Sequence, residues 1–235
     1  MLNFLKQFVL AIKFWILEAI LPYQCVGCNQ VGNLFCSNCQ RQTTLAIDKC
    51  IVCQKPSWQG FTHPKCQTRY TPDRLITFFA YQNRAIKTLI GLTKLNFISN
   101  AIQVLAQASS NRIKILTNHD FVLCPVPLSD YKLRFRGFNQ SLIIAKVLNK
   151  NFEWPIAQIV AKKLFIKQQK FLNQTDRQAN IKEAFLPTQE LIQSPPNTVI
   201  IVDDIITSGS TFKAISKVLK KNGVQIVWCL ALAQD

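Results

Sequence analysis

Seven of the nine cysteines lie between Cys25 and Cys66, and they fall into pairs of one fixed spacing. The run reads Cys25-x2-Cys28, Cys36-x2-Cys39, Cys50-x2-Cys53 and His63-x2-Cys66, with seven, ten and nine residues between successive pairs. A C-x2-C turn presents two thiolates to one metal ion, and two such turns complete a tetrahedron. Eight ligands make two closed sites, one of four cysteines and one of three cysteines with His63. Closed sites leave no position for water, so both zinc ions are structural. The ligands pair either sequentially or in an interleaved order; the spacing allows both. A module of about 45 residues has too small a core to fold alone, so metal binding supplies its stability. Redox C-x2-C motifs do not come in fours. A disulfide-rich secreted chain would spread its cysteines and carry a signal peptide.

The charge points to an anionic partner. Lys and Arg number 28 against 12 Asp and Glu, a net charge of +16, although only 17% of residues are charged. Between residues 132 and 182 there are 11 bases and 2 acids, interleaved with Phe135, Phe138, Phe165 and Phe171. Aromatic rings among cations suit stacking and backbone neutralisation along a single nucleic-acid strand. The same rings could equally be core, with the lysines as a soluble rim. Residues 1–22 read as an amphipathic helix ended by Pro22, packed on the protein's own body, docked to a partner or lying on a membrane surface. Lys13 and Glu18 interrupt its apolar run, so it is neither a signal peptide nor a membrane span.

Beyond the double zinc-ribbon module at 23–70, the pattern changes to that of a larger domain over 71–235. Strands are expected at 75–81, 121–125, 198–202 and 224–232. Helices are expected at 84–95, 98–109, 141–149 and 211–221, the last stopped at Asn222-Gly223. Residues 162–182 are polar and basic, a loop followed by a helix. Alternating strands and helices predict an α/β fold with a central, mostly parallel sheet flanked by helices. Cys124 and Cys229 fall in apolar strands and read as buried thiols.

The sharpest stretch runs from Val199 through Asp203-Asp204 to Thr207-Ser208-Gly209-Ser210-Thr211. A buried strand ends in two carboxylates, and a hydroxyl-rich turn around one glycine opens a helix. Amides at a helix N-terminus, hydroxyl donors and a glycine permitting close approach make a phosphate cradle. Two carboxylates at a strand's carboxyl end can accept from ribose 2′- and 3′-hydroxyls, directly or around Mg²⁺. The sequence contains neither G-x4-G-K-[ST] nor G-x-G-x-x-G, which removes the P-loop and dinucleotide alternatives.

This stretch resembles the 5-phosphoribosyl-1-pyrophosphate (PRPP) motif of type I phosphoribosyltransferases. Three further stretches resemble the ComF competence family. The first is Leu21-Pro22-x2-Cys25-x2-Cys28. The second is Cys124-Pro125-Val126-Pro127-Leu128 followed by Arg134-Phe135-Arg136-Gly137-Phe138-Asn139-Gln140-Ser141. The third is Gln169-x2-Leu172 through Arg177-x2-Asn180-x3-Ala184-Phe185. The resemblance implies a phosphoribosyltransferase-like domain preceded by a small double zinc ribbon. It implies a cytoplasmic factor for natural transformation that acts on imported single-stranded DNA, with the inner membrane face as a further location. A DNA-uptake helicase or a recombination mediator would be its protein partner. It places Asp203 and Asp204 on the PRPP ribose and Thr207–Thr211 around the 5′-phosphate, with Mg²⁺ accompanying PRPP.

Arg134, Arg136, Asn139 and Gln140 would lie near the pyrophosphate or a DNA backbone, and two Arg beside a glycine turn suit either. For the Arg pair the bland alternative is a solvated helix entry; for Asn139 and Gln140 it is helix capping. Lys162, Lys163 and Lys167 occupy a segment where the family carries Arg and Thr. The charge survives and the Thr does not. No residue is assigned a catalytic role, because a donor site is recognisable and an acceptor pocket is not. An active phosphoribosyltransferase with an unknown acceptor, or a PRPP-sensing regulatory adaptor, are the alternative readings.

Overall fold

The computed structural model describes residues 23–93, 99–110, 113, 121–163 and 184–235. The helix expected over 1–22, Lys167 and most of the 162–182 segment lie outside the described residues. The chain divides between Thr43 and Thr44 into two compact units.

The described part of the small unit is a knuckle and one short helix. Gln24 and Val31 form an antiparallel bridge around the Cys25–Cys28 turn. Helix α1 (Ser37–Gln42) follows, and the side chain of Cys36 accepts the Cys39 amide at its start.

The large unit is an α/β layer structure. Its elements are β1 (Arg74–Ala80), α2 (Arg84–Leu92), α3 (Ser99–Ser110), β2 (Val122–Pro125), α4 (Asp130–Arg136) and α5 (Gln140–Phe152). Then come β3 (Val160–Lys162), β4 (Phe185–Pro187), α6 (Gln189–Gln193), β5 (Thr198–Ile206), α7 (Ser210–Lys221) and β6 (Ile226–Gln234). The main sheet has the order β1-β6-β5-β2, and every pair in it is parallel. Strands β5 and β6 are central, and their apolar runs Val199–Val202 and Val227–Ala233 are almost wholly buried. Burial on both faces is what a parallel sheet covered by helices demands. Strands β3 and β4 form a separate antiparallel pair.

The strands expected at 75–81, 121–125, 198–202 and 224–232 and the helices expected at 84–95, 98–109, 141–149 and 211–221 have counterparts among the described residues, with shifts at their ends. The largest shift has a consequence. Strand β5 does not stop at Val202 but runs through both aspartates to Ile206, because β6 is long enough to pair Ile205 with Ala233 and Ile206 with Gln234. Helix α4 and the β3–β4 pair were not expected, since seven mostly polar residues and two three-residue strands carry no clear periodicity.

The second cysteine group packs within the large unit. Thr44 accepts the amide of Ala80, and Ala46 donates to Phe78, so residues 44–46 run along β1. Phe61 bridges Arg74 in antiparallel fashion. The Arg74 guanidinium lies 4.7 Å from the Phe61 ring centroid and 4.8 Å from that of Trp228, while its Nε donates to the Gln59 carbonyl at 2.8 Å. A delocalised cation held between two rings joins this metal-binding segment to the sheet.

Candidate functional site

The eight metal-ligand candidates gather as two groups in sequential order, Cys25, Cys28, Cys36 and Cys39, then Cys50, Cys53, His63 and Cys66. Within each group all ligand atoms lie within 4.8 Å of one another. A tetrahedron of thiolates around Zn²⁺ has edges of about 3.8 Å, and Cys28 Sγ sits 3.7 Å from Cys36 Sγ. Burial opposes ionisation of Cys25, but the backbone amides of Cys36, Gly27 and Cys28 outweigh it and bring the thiol down to about 6. The amides of Cys53, His63 and Val52 do the same for Cys50, against burial, to about 7. Their companions move the other way. Burial, then the neighbouring thiols, push Cys39 to about 12 and Cys66 to about 11. Such groups cannot ionise together without a cation among them, so the donor chemistry fits a bound divalent metal.

His63 fits as the eighth ligand. Its Nε2 lies 3.1 Å from the Pro56 carbonyl, which only accepts, so Nε2 carries the proton. Nδ1 then turns its lone pair inward, 3.3 Å from Cys53 Sγ. This is the outer hydrogen bond that orients a metal-binding imidazole. Both groups could hold structural zinc.

The second candidate site lies at the carboxyl end of the parallel sheet. Helices α2, α4, α5 and α6 are each capped by a side chain, from Asn83, Ser129, Asn139 and Thr188. Helix α7 is preceded by Gly209 in the left-handed conformation (φ 69°), which offers no capping group. Thr207 and Ser208 beside it are exposed. Ser208 Oγ accepts the Ser210 amide at 3.4 Å and donates to Ser210 Oγ at 3.1 Å. Helix N-termini carry partial positive charge and unpaired amides that favour an anion.

Because β5 runs through both aspartates, Asp203 and Asp204 point to opposite faces of the strand. Asp203 meets α5: Ser141 Oγ donates to Asp203 Oδ1 at 2.9 Å. Burial, then the neighbouring Asp204 carboxylate, push the Asp203 carboxyl up to about 7, against the opposing hydrogen bond from Ser141. Asp204 is buried on the other face. Lys162, at the end of β3, is close enough for Asp203 to favour its charge, although burial first and Lys132 second lower its pKa.

The motif after β2 divides its residues between two tasks. The turn stays beside β5, where Val126 donates to the Val202 carbonyl at 3.0 Å. Asn139 caps α5 through Ser141 and donates to the Val126 carbonyl at 3.0 Å, so it closes the turn. Gln140 is buried and donates to the Thr93 carbonyl at 3.4 Å. Arg134 is exposed and Arg136 half-buried, both on α4. Lys163 donates its amide to the Ala184 carbonyl and keeps its side chain exposed.

Sequence reasoning missed one feature here. No residue of α4 is buried. Tyr131 and Phe135 are 70% and 59% exposed and stacked, with centroids 6.5 Å apart and planes 11° from parallel. The i, i+4 spacing of two rings between Lys132, Arg134 and Arg136 was available as a signal, but only if α4 had been recognised as a helix.

Residues 140–235 match the family described as the phosphoribosyl transferase domain. Over 220 residues the chain is 30% identical to Competence protein F of Haemophilus influenzae, covering 89% of this chain and 90% of that one. The chain belongs to the competence protein F (ComF) family. Other ComF-like relatives include DNA utilization protein YhgH of Escherichia coli K12, 29% identical over 83% of this chain and 88% of that one. Competence protein ComFC of Bacillus subtilis is 26% identical over 74% of this chain and 72% of that one. Among solved structures, a purine phosphoribosyltransferase from Pyrococcus horikoshii aligns with a TM-score of 0.33 at 14% identity, over 57% of this chain and 83% of that one. Membership accounts for the parallel sheet with flanking helices and for the cysteine-rich region before it. No described helix is long and apolar enough to cross a membrane.

Proposed function

We propose that this ComF-family protein handles imported single-stranded DNA in the cytoplasm during natural transformation, and that its large unit also binds PRPP or a related phosphate ligand. The observation that carries the DNA reading is α4, an unburied helix with a stacked aromatic pair and three cations. A single strand offers unstacked bases to the rings and phosphates to Lys132, Arg134 and Arg136. The ligand reading rests on the α7 N-terminus, which has no side-chain cap from Gly209 and opens directly after the strand that carries Asp203. When bound, Mg²⁺ would help neutralise the ligand's phosphates. Thr207 to Thr211 would hold the 5′-phosphate and Asp203 would face the ribose; Asp204, expected beside it from the sequence, points to the opposite face of β5 and is buried there.

Fluorescence anisotropy with labelled oligo-dT tests the DNA reading. Stacking is worth about 1–3 kcal/mol per base. Tyr131→Ala with Phe135→Ala is therefore expected to weaken binding at least tenfold without changing the salt slope, whereas Arg134→Ala should lower that slope. Undetectable binding of wild type at low salt refutes the reading. The position of Lys162 beside Asp203 favours a second reading, transfer onto an acceptor, in which a cation near the ribose end would steady departing pyrophosphate. Mg²⁺-dependent pyrophosphate release from PRPP, lost in Asp203→Ala with Asp204→Ala, would establish it.

A further inference from the structure

The turn between Cys50 and Cys53 does more than present ligands. Its second residue, Ile51, is wholly buried. It belongs to the same core cluster as Ile206, which ends β5, and Phe212 and Ile215 in the first half of α7. The contact reaches the phosphate turn itself. A Cβ placed on Gly209 would lie 3.1 Å from Ile51 Cγ1 and 3.4 Å from Ile206 Cδ1. Ile51 therefore lies on the side of Gly209 where a side chain would stand, close enough that a Cβ there would crowd it.

The direction in which Ile51 points is set by its knuckle. The Gln54 amide donates to the Cys50 carbonyl at 2.9 Å, Gln54 Nε2 donates to the Ile51 carbonyl at 2.9 Å, and the Cys50 amide donates to Lys55. Cys50 and Cys53, on either side, belong to the second ligand group. With metal bound, both ends of a four-residue turn are tied to one point, and Ile51 is held between them. Without it, nothing ties the two ends of the turn to one point.

We propose that Ile51 is a positioning residue for the phosphate turn. The knuckle of the second metal group fixes the orientation of the 207–211 backbone, and so sets the affinity of α7 for a phosphate monoester. Metal occupancy and phosphate affinity are then linked in both directions, because each favours the same packed arrangement. This extends the reading of the turn as a phosphate site and rests on it.

The test uses the full zinc-loaded chain and titration calorimetry with PRPP and Mg²⁺. Ile51→Ala removes Cγ1, the atom that faces Gly209, and is expected to weaken PRPP at least tenfold while two zinc ions per chain are retained. Leu219→Ala makes an equal truncation in the same core, but at the far end of α7; it is expected to lower stability and leave PRPP affinity within twofold. Amide hydrogen exchange at 207–211 should quicken in Ile51→Ala and not in Leu219→Ala. If Ile51→Ala loses zinc, Ile51→Thr, which sets a hydroxyl in place of Cγ1 and keeps the other branch at Cβ, carries the test, with at least a threefold loss of affinity and faster exchange expected at the same amides. Unchanged affinity and exchange in a zinc-retaining Ile51 variant overturn the proposal, as does an equal loss in Leu219→Ala. Failure of wild type to bind PRPP is a different result: it removes the phosphate reading itself, and this proposal with it.

Discussion

Two glycines allow the packing behind the turn at 207–211 to be weighed. Gly137 and Gly209 share nearly the same left-handed backbone, with φ of 75° and 69°. Around Gly137 a Cβ meets nothing within 4 Å; at Gly209 it meets Ile51 Cγ1 at 3.1 Å, Ile206 Cδ1 at 3.4 Å and Lys213 Cε at 3.5 Å. Alanine in that backbone region costs about 1–2 kcal/mol wherever it stands. Gly137→Ala should therefore lose about 1 kcal/mol. Gly209→Ala carries the same backbone cost plus compression against two buried branched side chains, about 1 kcal/mol more where a core has no slack. The assay is urea unfolding of the zinc-loaded chain. With a slope of about 2 kcal/mol per molar, the midpoint should fall by roughly 0.5 M for Gly137→Ala and 1 M for Gly209→Ala. In an Ile51→Ala background the gap between the two substitutions should close, because the 3.1 Å neighbour is gone. Equal losses in the wild-type background would refute the argument that the metal knuckle and the turn are in contact.

Other outcomes are expected. Metal analysis should give two zinc ions per chain, and His63→Ala should leave one, with the second group destabilised. A raised carboxyl such as Asp203 favours the folded state while protonated and is lost as a stabilising influence as pH rises from about 4 through about 7. A displacement of that size is worth about 4 kcal/mol, and solvent screening reduces it. Asp203→Asn is therefore expected to gain about 1–3 kcal/mol relative to wild type at pH 8 and almost nothing at pH 4, measured by unfolding across that range. Arg74→Leu removes a buried cation from between Phe61 and Trp228 and strands the Gln59 carbonyl. It should cost about 2–3 kcal/mol in the same unfolding assay, with zinc content unchanged.

Much of this protein follows from residue order alone. Apolar runs too long to alternate, separated by amphipathic segments, require a covered parallel sheet, because only burial on both faces satisfies them. Four ligand pairs of one spacing divide into two groups of four, because tetrahedral coordination consumes ligands four at a time, and the eight residues gather in two such groups. The helix that opens after β5 was legible in the hydroxyls around Gly209. Three things were decided only in three dimensions. Sequential pairing of the ligands depends on which knuckles face each other, and spacing is silent on that. The opposed faces of Asp203 and Asp204 depend on how far β6 extends, since a strand continues only while a neighbour pairs with it. The inward turn of Gln140, the outward turn of Tyr131 and Phe135, and the contact of Ile51 with Gly209 arise from packing between residues far apart in the chain. A pattern confined to neighbouring residues cannot carry that information.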